Sequence, residues 1–335
     1  MNLQTTHNTI IADKNYVERC LVDLAGIKSG MLASSFVRSA KDLLKFVNPT
    51  NGLPVLVPHI PGMFDSFQKF KLNSDELKTL IFGSVDVDYI GCQLVIRDSI
   101  YIKNFTLKSS FQDKLDAYTD EILFAQKKIQ QLVQEFTSVG AFQTRNIPHL
   151  GHEKIIDRML DHCELVVINP MLGPKKAYDI DTEKLTGLYE KVLKQRYQNK
   201  IAFVPIRANI FYAGPREAIH HAKLRQWLGF THFSVGRDHA GAEGVYQDNA
   251  ATKMVTKYQD KLPIKIITHG GALYCCSCKS IILQGDCDHS KEKLLEVSGS
   301  AFRGCLNTQQ DYPFASPDVQ NWASKNLKYL QNQNF

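Results

Sequence analysis

FQTRNIPHLGHE, residues 142–153, sets Gln143, Thr144, Arg145, Asn146, His149 and His152 close together, just ahead of an amphipathic run. Side chains of this kind at this density, where a helix is about to begin, point to an anion. A helix start exposes unpaired backbone N–H groups and the positive end of the helix dipole, so it favours phosphate or sulfate. His149 and His152 stand three residues apart and share one side of that helix start, and Gly151 between them lets a ligand come close. The plain alternative is two surface histidines with no common task. A metal pair fits less well, because no third ligand stands nearby and the neighbours suit anions. The segment is expected to hold a nucleotide's phosphates.

Outward from this stretch the chain alternates between strand and helix patterns. Residues 137–143 read as a short strand, and 153–163 carry Ile155, Ile156, Met159, Leu160 and Cys163 as one helical stripe. LVVI (165–168) reads as a buried strand, 182–197 as a helix with Asp181 or Thr182 as N-cap, and IAFVPI (201–206) as a strand. A helix opened by Gly214-Pro215 runs to 228, HFSVG (232–236) follows as a strand, then a helix over 251–262 and a strand IKIIT at 264–268. Such alternation implies βαβ crossovers, a parallel sheet with helices on both faces, and ligands beyond the carboxyl ends of the strands. The polar clusters 143–152 and 237–241 both follow a strand, which puts them on one rim.

Before residue 137 the pattern differs. LPVLVPHI (53–60), VDVDYI (85–90) and CQLVIRDSIYIKNF (92–105) are rich in β-branched residues and read as strands of a mostly β region. Residues 35–47 and the charged run 114–136 read as helices. The expected organisation is a β-rich domain over 1–136, an α/β domain over 137–270, and a small C-terminal part over 271–335.

The 335 residues, 44% hydrophobic and 22% charged, suit a globular protein, and a net charge of +6 suits small anionic substrates better than nucleic acid. The N-terminus lacks the pattern of a signal peptide and no window is apolar enough to span a membrane, so a soluble cytoplasmic chain is expected. Of eight cysteines, Cys275, Cys276, Cys278 and Cys287 cluster, and the scattered remainder fits reduced thiols. Cys275, Cys278, Cys287 and His289 have the spacing of a closed tetrahedral zinc site, with Cys276 spare and free thiols as the alternative.

FQTRNIPHLGHE is similar to the QxRNPxHxxHE signature of ATP sulfurylases. INPMLGPKKAYDID (168–181), IFYAGPREAIHHAKLRQWLGFTHFSVGRDHAGAEG (210–244), YCCSCKSIILQGDCDH (274–289) and VSGSAFRGCLN (297–307) resemble further blocks of that family, in the family's order. The resemblance implies a HUP-type, Rossmann-like nucleotidyltransferase domain, an N-terminal PUA-like domain and a zinc-binding insertion. It implies transfer of the adenylyl group of MgATP to sulfate, and a homodimer. Thr144, Arg145 and Asn146 would surround the reacting α-phosphate, and Gln143, Arg145 and the backbone of Ala240 would hold sulfate. ATP would lie against Gln143, Asn146, His149, His152, Gly236, Arg237, Asp238 and His239.

Sulfate is a poor nucleophile but carries no proton at neutral pH. The chemistry therefore asks for alignment and charge neutralisation rather than a general base. This chain departs from the family at Ile147-Pro148, where proline has moved one place, at Leu150, where arginine is usual, and over 244–250. A related nucleotidyltransferase with another oxyanion acceptor, or a non-catalytic nucleotide-binding protein, is the alternative these departures leave. In the C-terminal block either Ser298 or Ser300 caps a helix, with Arg303 on its first turn. Arg216 and Glu217 organise a helix start, and His220 and His221 are expected at solvent or a domain boundary. No GxxxxGK[ST] loop occurs, so a fused kinase domain is not expected.

Overall fold

The computed structural model describes residues 3–83, 89, 91–92, 100–144, 146–174, 182–237, 239–240 and 244–327. Its centre is a five-stranded parallel sheet built from β3 (Val139–Phe142), β4 (Leu165–Ile168), β5 (Ile201–Phe203), β6 (His232–Gly236) and β7 (Lys265–His269), ordered β5-β4-β3-β6-β7. Every residue of β3 and β4 is buried, which is why these strands read as continuous apolar runs rather than as alternating ones.

Successive side chains serve opposite faces. Val139, Ala141, Leu165 and Val167 enter one core cluster, and Phe142, Val166 and Ile168 enter the other. The first cluster takes in α6 (Gly214–Leu228) and α7 (Ala250–Lys257), and the second takes in α4 (Leu150–Leu160). Gly140 permits close packing of α4 on the sheet, since a Cβ there would lie 2.8 Å from Cys163 Sγ and 2.9 Å from Met159 Cε. From β3 the chain winds outward through β4 and β5, then returns along α6 to β6 on β3's other side. The strand order therefore reverses between β3 and β6, and the loops that follow those two strands diverge to form a crevice.

The expected helix over 182–197 is interrupted. α5 (Thr182–Leu188) passes into a π-helical turn, Tyr189–Leu193, that buries Tyr189. Residues 175–181, Asp181 among them, lie outside the described residues.

The N-terminal third departs from its mostly β reading. Its described residues hold the helices α1 (Leu3–Lys28), α2 (Ser74–Phe82) and α3 (Gln112–Glu135), with one antiparallel pair, β1 (Phe64–Lys71) and β2 (Ile100–Leu107). LPVLVPHI forms no strand of its own: it makes isolated bridges, Val55 to Phe36 and Pro58 to Tyr101. Pro54 and Pro58 lack the N–H groups a ladder needs. α1 buries Cys20, Leu21, Leu24 and Ala25 at helical spacing, in the same core cluster as Leu115, Ile122 and Ile129 of α3. The helix expected over 35–47 is broken into a short α-turn, Ala40–Leu43, between 3-10 turns. Most of 85–99 lies outside the described residues.

After β7 a three-stranded antiparallel sheet follows, β8 (Ala272–Cys275), β9 (Ser280–Leu283) and β10 (Leu294–Glu296), ordered β10-β8-β9. Two helices close the described chain, α8 (Gly299–Asn307) and α9 (Pro317–Asn326). No helix among the described residues is long and apolar enough to cross a membrane.

Candidate functional site

A cavity of about 380 Å³ opens beyond the carboxyl ends of β3 and β6, at the point where strand order reverses. Its walls include Gln143, Thr144, Asn146, His149 and His152 from the β3 side. Gly236, Arg237, His239 and Ala240 come from the β6 side. The two polar clusters that the sequence placed on one rim thus meet in one cavity. Arg145 and Asp238 lie outside the described residues.

The helix start differs from its sequence reading. His149 is the N-cap of α4, and its Nδ1 accepts from the Gly151 N–H at 3.1 Å, while His152 Nδ1 accepts from the His149 N–H at 3.3 Å. The Leu150 N–H donates to the Phe314 carbonyl at 2.8 Å, and the His152 and Glu153 N–H groups donate to the His149 carbonyl. The first-turn amides are therefore already engaged, and imidazoles rather than bare backbone N–H groups line the cavity here. Because both Nδ1 atoms accept, the proton of each neutral ring sits on Nε2. Burial, with the Arg303 guanidinium adding to it, pushes His149 down to about 4, and burial holds His152 well below the usual range. These histidines are neutral N–H donors.

Gly151 has a steric task. A Cβ there would lie 2.7 Å from Ala272 Cβ and 2.9 Å from His149 Cε1 and Nδ1, so the space is occupied by the protein itself. Leu150 occupies the first helical position and adds no charge there. Ile147 is 1% exposed, within the second core, so the shifted proline accompanies an apolar anchor. Glu153 pairs with Arg196, which also reaches Asp318, and this ties α4 to the segment after α5 and to α9.

Between the histidines and β3, Gln143 Oε1 is buried without a hydrogen-bond partner among the described residues. Thr144 is buried, and its hydroxyl accepts the Asn146 N–H at 3.3 Å. Asn146 Oδ1 in turn accepts from Arg303 Nη1 at 3.3 Å, and its carbonyl accepts from the Tyr189 hydroxyl at 3.4 Å. Ser298, not Ser300, caps α8, accepting the Ala301 N–H at 3.2 Å; Ser300 instead accepts from Arg303 Nη2 at 3.2 Å. Arg303 therefore brings a cation to the loop at 144–146, and the C-terminal block belongs to the site.

On the opposite wall Ala240 has φ +53°, a left-handed backbone that a non-glycine residue adopts at a cost, and its carbonyl accepts the Gly214 N–H at 3.1 Å. Ser234, His269, Gly270 and Gly271 extend this wall, and sequence reasoning did not single them out. His269 Nδ1 donates to the Gly270 carbonyl at 3.0 Å, and its Nε2 accepts from the Ser234 hydroxyl at 3.1 Å. The signal available was positional: His269 ends a parallel strand on the ligand-binding side.

His220 and His221 are buried at 2% and 0% exposure, not at solvent as the helix position suggested. The reason is that α6 lies between the sheet and the N-terminal third, so both its faces are covered. His220 Nδ1 accepts the Leu53 N–H at 3.2 Å, which does place it at the boundary between those regions. His221 Nδ1 meets His239 Nε2 at 2.9 Å. Glu217, fully buried, accepts the Phe211 and Ala213 N–H groups, both at 2.8 Å, and so shapes the loop before α6.

Cys275, Cys278, Cys287 and His289 converge, with all four ligand atoms within 4.8 Å of one another. The Sγ of Cys275 lies 3.5 Å from His289 Nδ1 and 3.8 Å from Cys287 Sγ, and Cys278 Sγ lies 3.4 Å from His289 Nδ1. Tetrahedral zinc with ordinary bond lengths separates two sulfurs by about 3.8 Å and sulfur from nitrogen by about 3.6 Å. The donor set and its spacing fit that ion. Cys276 is exposed, and its N–H pairs with the Lys293 carbonyl at 2.8 Å. This knuckle fastens onto α4 through Arg158–Asp286 at 2.7 Å and the Gly151–Ala272 contact.

Comparison with known proteins follows the same lines. A family model described as ATP-sulfurylase matches residues 121–322. A sulfate adenylyltransferase of Ignicoccus hospitalis is 29% identical over 78% of this chain and 75% of its own length. One of Carboxydothermus hydrogenoformans is 31% identical over 77% of this chain and 69% of its own. One of Persephonella marina is 27% identical over 94% and 90%.

Proposed function

The chain belongs to the ATP-sulfurylase family, and from that premise we propose how its cavity joins ATP to sulfate. The protein is a sulfate adenylyltransferase, converting ATP and sulfate into adenosine 5′-phosphosulfate and pyrophosphate. The observation that carries the residue-level reading is the meeting of the β3 and β6 loops in one cavity at the reversal of strand order.

In this reading a sulfate oxygen attacks the α-phosphorus in line, the bond from α-phosphorus to the bridging oxygen breaks, and its electron pair leaves with pyrophosphate. Gln143, Arg145 and the Ala240 backbone hold sulfate. The Gln143 amide turns its N–H2 toward the oxyanion, as a donor to one sulfate oxygen. Thr144, Arg145 and Asn146 surround the α-phosphate, and Arg303 braces Asn146 from behind. His149 and His152 direct Nε2–H donors at the ATP phosphates. Neutral donors suffice for alignment, while Arg145, Arg237 and Arg303 carry fixed positive charge. The nucleoside half lies along Gly236, Arg237, Asp238 and His239. The Mg²⁺ that accompanies ATP supplies further charge neutralisation when bound.

Zinc at Cys275, Cys278, Cys287 and His289 is structural in this proposal, holding β8 against α4. The β3–β7 sheet is read as HUP-type. The PUA-like reading of 1–136 rests on the β1–β2 ribbon and the bridged 53–60 segment. A cytoplasmic homodimer completes the proposal.

Pyrophosphate release from MgATP with sulfate, molybdate, phosphate or a phosphonate tests this assignment. Turnover with sulfate and molybdate, abolished in a folded Arg145→Ala variant, is expected. Turnover confined to another acceptor overturns the sulfate assignment.

A further inference from the structure

Behind the β6 wall a chain of buried groups runs from α6 into the cavity. Glu217 Oε1 lies 3.0 Å from His221 Nε2, off the line of a regular hydrogen bond, and His221 Nδ1 meets His239 Nε2 at 2.9 Å. Glu217 and His221 are fully buried, and His239 lines the cavity. We propose that Glu217 and His221 lock His239 in one tautomer, so that its Nδ1 serves the cavity as an acceptor for a donor on the nucleoside half of ATP.

The argument follows the protons. Glu217 is held in place by two backbone N–H groups, one on each carboxylate oxygen. Its oxygen faces His221 Nε2 and would repel a lone pair there, so the His221 proton sits on Nε2. His221 Nδ1 is then an acceptor, and the 2.9 Å contact requires the proton on His239 Nε2. His239 keeps a lone pair on Nδ1, the nitrogen on the other side of the ring. Burial keeps both imidazoles well below their ordinary range, which preserves this neutral pattern.

His149 and His152 are wired in the opposite sense, with Nδ1 accepting internally and Nε2–H left for the ligand. The cavity therefore has donor imidazoles on the β3 side and an acceptor imidazole on the β6 side. Phosphate oxygens are acceptors and are repelled by a lone pair, whereas a ribose hydroxyl or the adenine 6-amino group satisfies it. This assignment rests on the nucleotide reading of the cavity. Glu217 and His221 are positioning residues that act through His239.

The test begins with ¹⁵N spectra of histidine-labelled protein, with His239 assigned by comparison with His239→Gln. A proton on Nε2 and a bare Nδ1 is expected; a proton on Nδ1 overturns the proposal. kcat/KM is then compared for ATP, 2′-deoxyATP, 3′-deoxyATP and the triphosphate of purine riboside, in wild type and in His221→Asn. One analogue should lose about tenfold in wild type, a hydrogen bond's worth, and should identify ribose or base as the donor. In His221→Asn that loss should shrink to about twofold, because nothing fixes the tautomer. Equal discrimination in both proteins, or none in wild type, overturns the proposal. Should His221→Asn fail to fold, Glu217→Gln and the wild-type spectra decide. Absence of sulfate turnover in wild type would strike the functional reading alone, since the tautomer is measured independently.

Discussion

Replacing Gly151 with alanine sets two effects against each other. At the second position of α4, intrinsic helix propensity alone favours alanine over glycine by about 1 kcal/mol. The new Cβ, however, would lie 2.7 Å from Ala272 Cβ and 2.9 Å from the His149 ring. Carbon atoms rest at about 3.5–4.0 Å, so β8 or the imidazole must retreat by about 1 Å. Ala272 sits on a strand that ends in Cys275 of the Cys/His cluster, and His149 is held by the Gly151 N–H itself, so neither yields freely. Overpacking of this kind costs about 1–3 kcal/mol, and the net effect is destabilisation of up to about 2 kcal/mol. A displacement of about 1 Å in a positioning group costs about a hundredfold in rate. Gly151→Ala should therefore lower kcat/KM for ATP by about two orders of magnitude and lower Tm by a few degrees at most. Adding Ala272→Gly removes one of the two clashes and should recover part of the loss. The assays are pyrophosphate release and thermal unfolding. A Gly151→Ala enzyme with activity within about twofold of wild type and a raised Tm would refute the steric argument, leaving propensity as the stronger effect.

Three further outcomes follow from the site. His149 is held at about 4 against an ordinary 6.5, so the unfolded chain binds its proton first; the stability it contributes is complete above pH 6.5 and is lost as pH falls toward 4. That difference corresponds to ~3 kcal/mol, checked by denaturant unfolding at pH 7.5 and 5 in wild type and His149→Gln, where the variant should be less pH-sensitive. Cys278→Ser should lower metal content below one zinc per chain, reduce Tm, and reduce kcat/KM by about tenfold through loosening of β8; unchanged metal content would contradict the ligand assignment. Arg303→Met removes a charged donor from Asn146 and should cost roughly tenfold or more in kcat/KM. It should also raise the His149 pKa, since a neighbouring cation is lost, and an NMR titration of His149 checks the direction.

Much of the sheet was legible from local pattern. LVVI coincides with β4 because a strand buried on both faces is apolar throughout, and HFSVG coincides with β6, which buries His232 and Ser234 along with Phe233 and Val235 and ends where charge returns at Arg237. The strand–helix alternation determined a parallel sheet, and the placing of both polar clusters after strands determined that they share a rim. The Cys and His spacing determined that Cys275, Cys278, Cys287 and His289 converge, since the four lie close in sequence. α1 was missed although its apolar residues recur at helical spacing, because the partners that bury that stripe lie about a hundred residues away in α3.

Only the tertiary structure decided what the helix start offers. The amide of Leu150 is taken by Phe314, more than 160 residues on, and the two histidines turn their Nδ1 atoms inward onto the Gly151 and His149 N–H groups. Residues 142–153 determined by themselves that a helix start rich in polar and imidazole side chains follows β3. The contacts from β8, α8 and α6 decided that its donors are neutral imidazoles, that Arg303 braces it, and that His239 faces it with the opposite tautomer. The physical reason is one of range: periodicity and spacing act within one element. Burial, desolvation and the identity of each hydrogen-bond partner depend on which distant segments the fold packs against it.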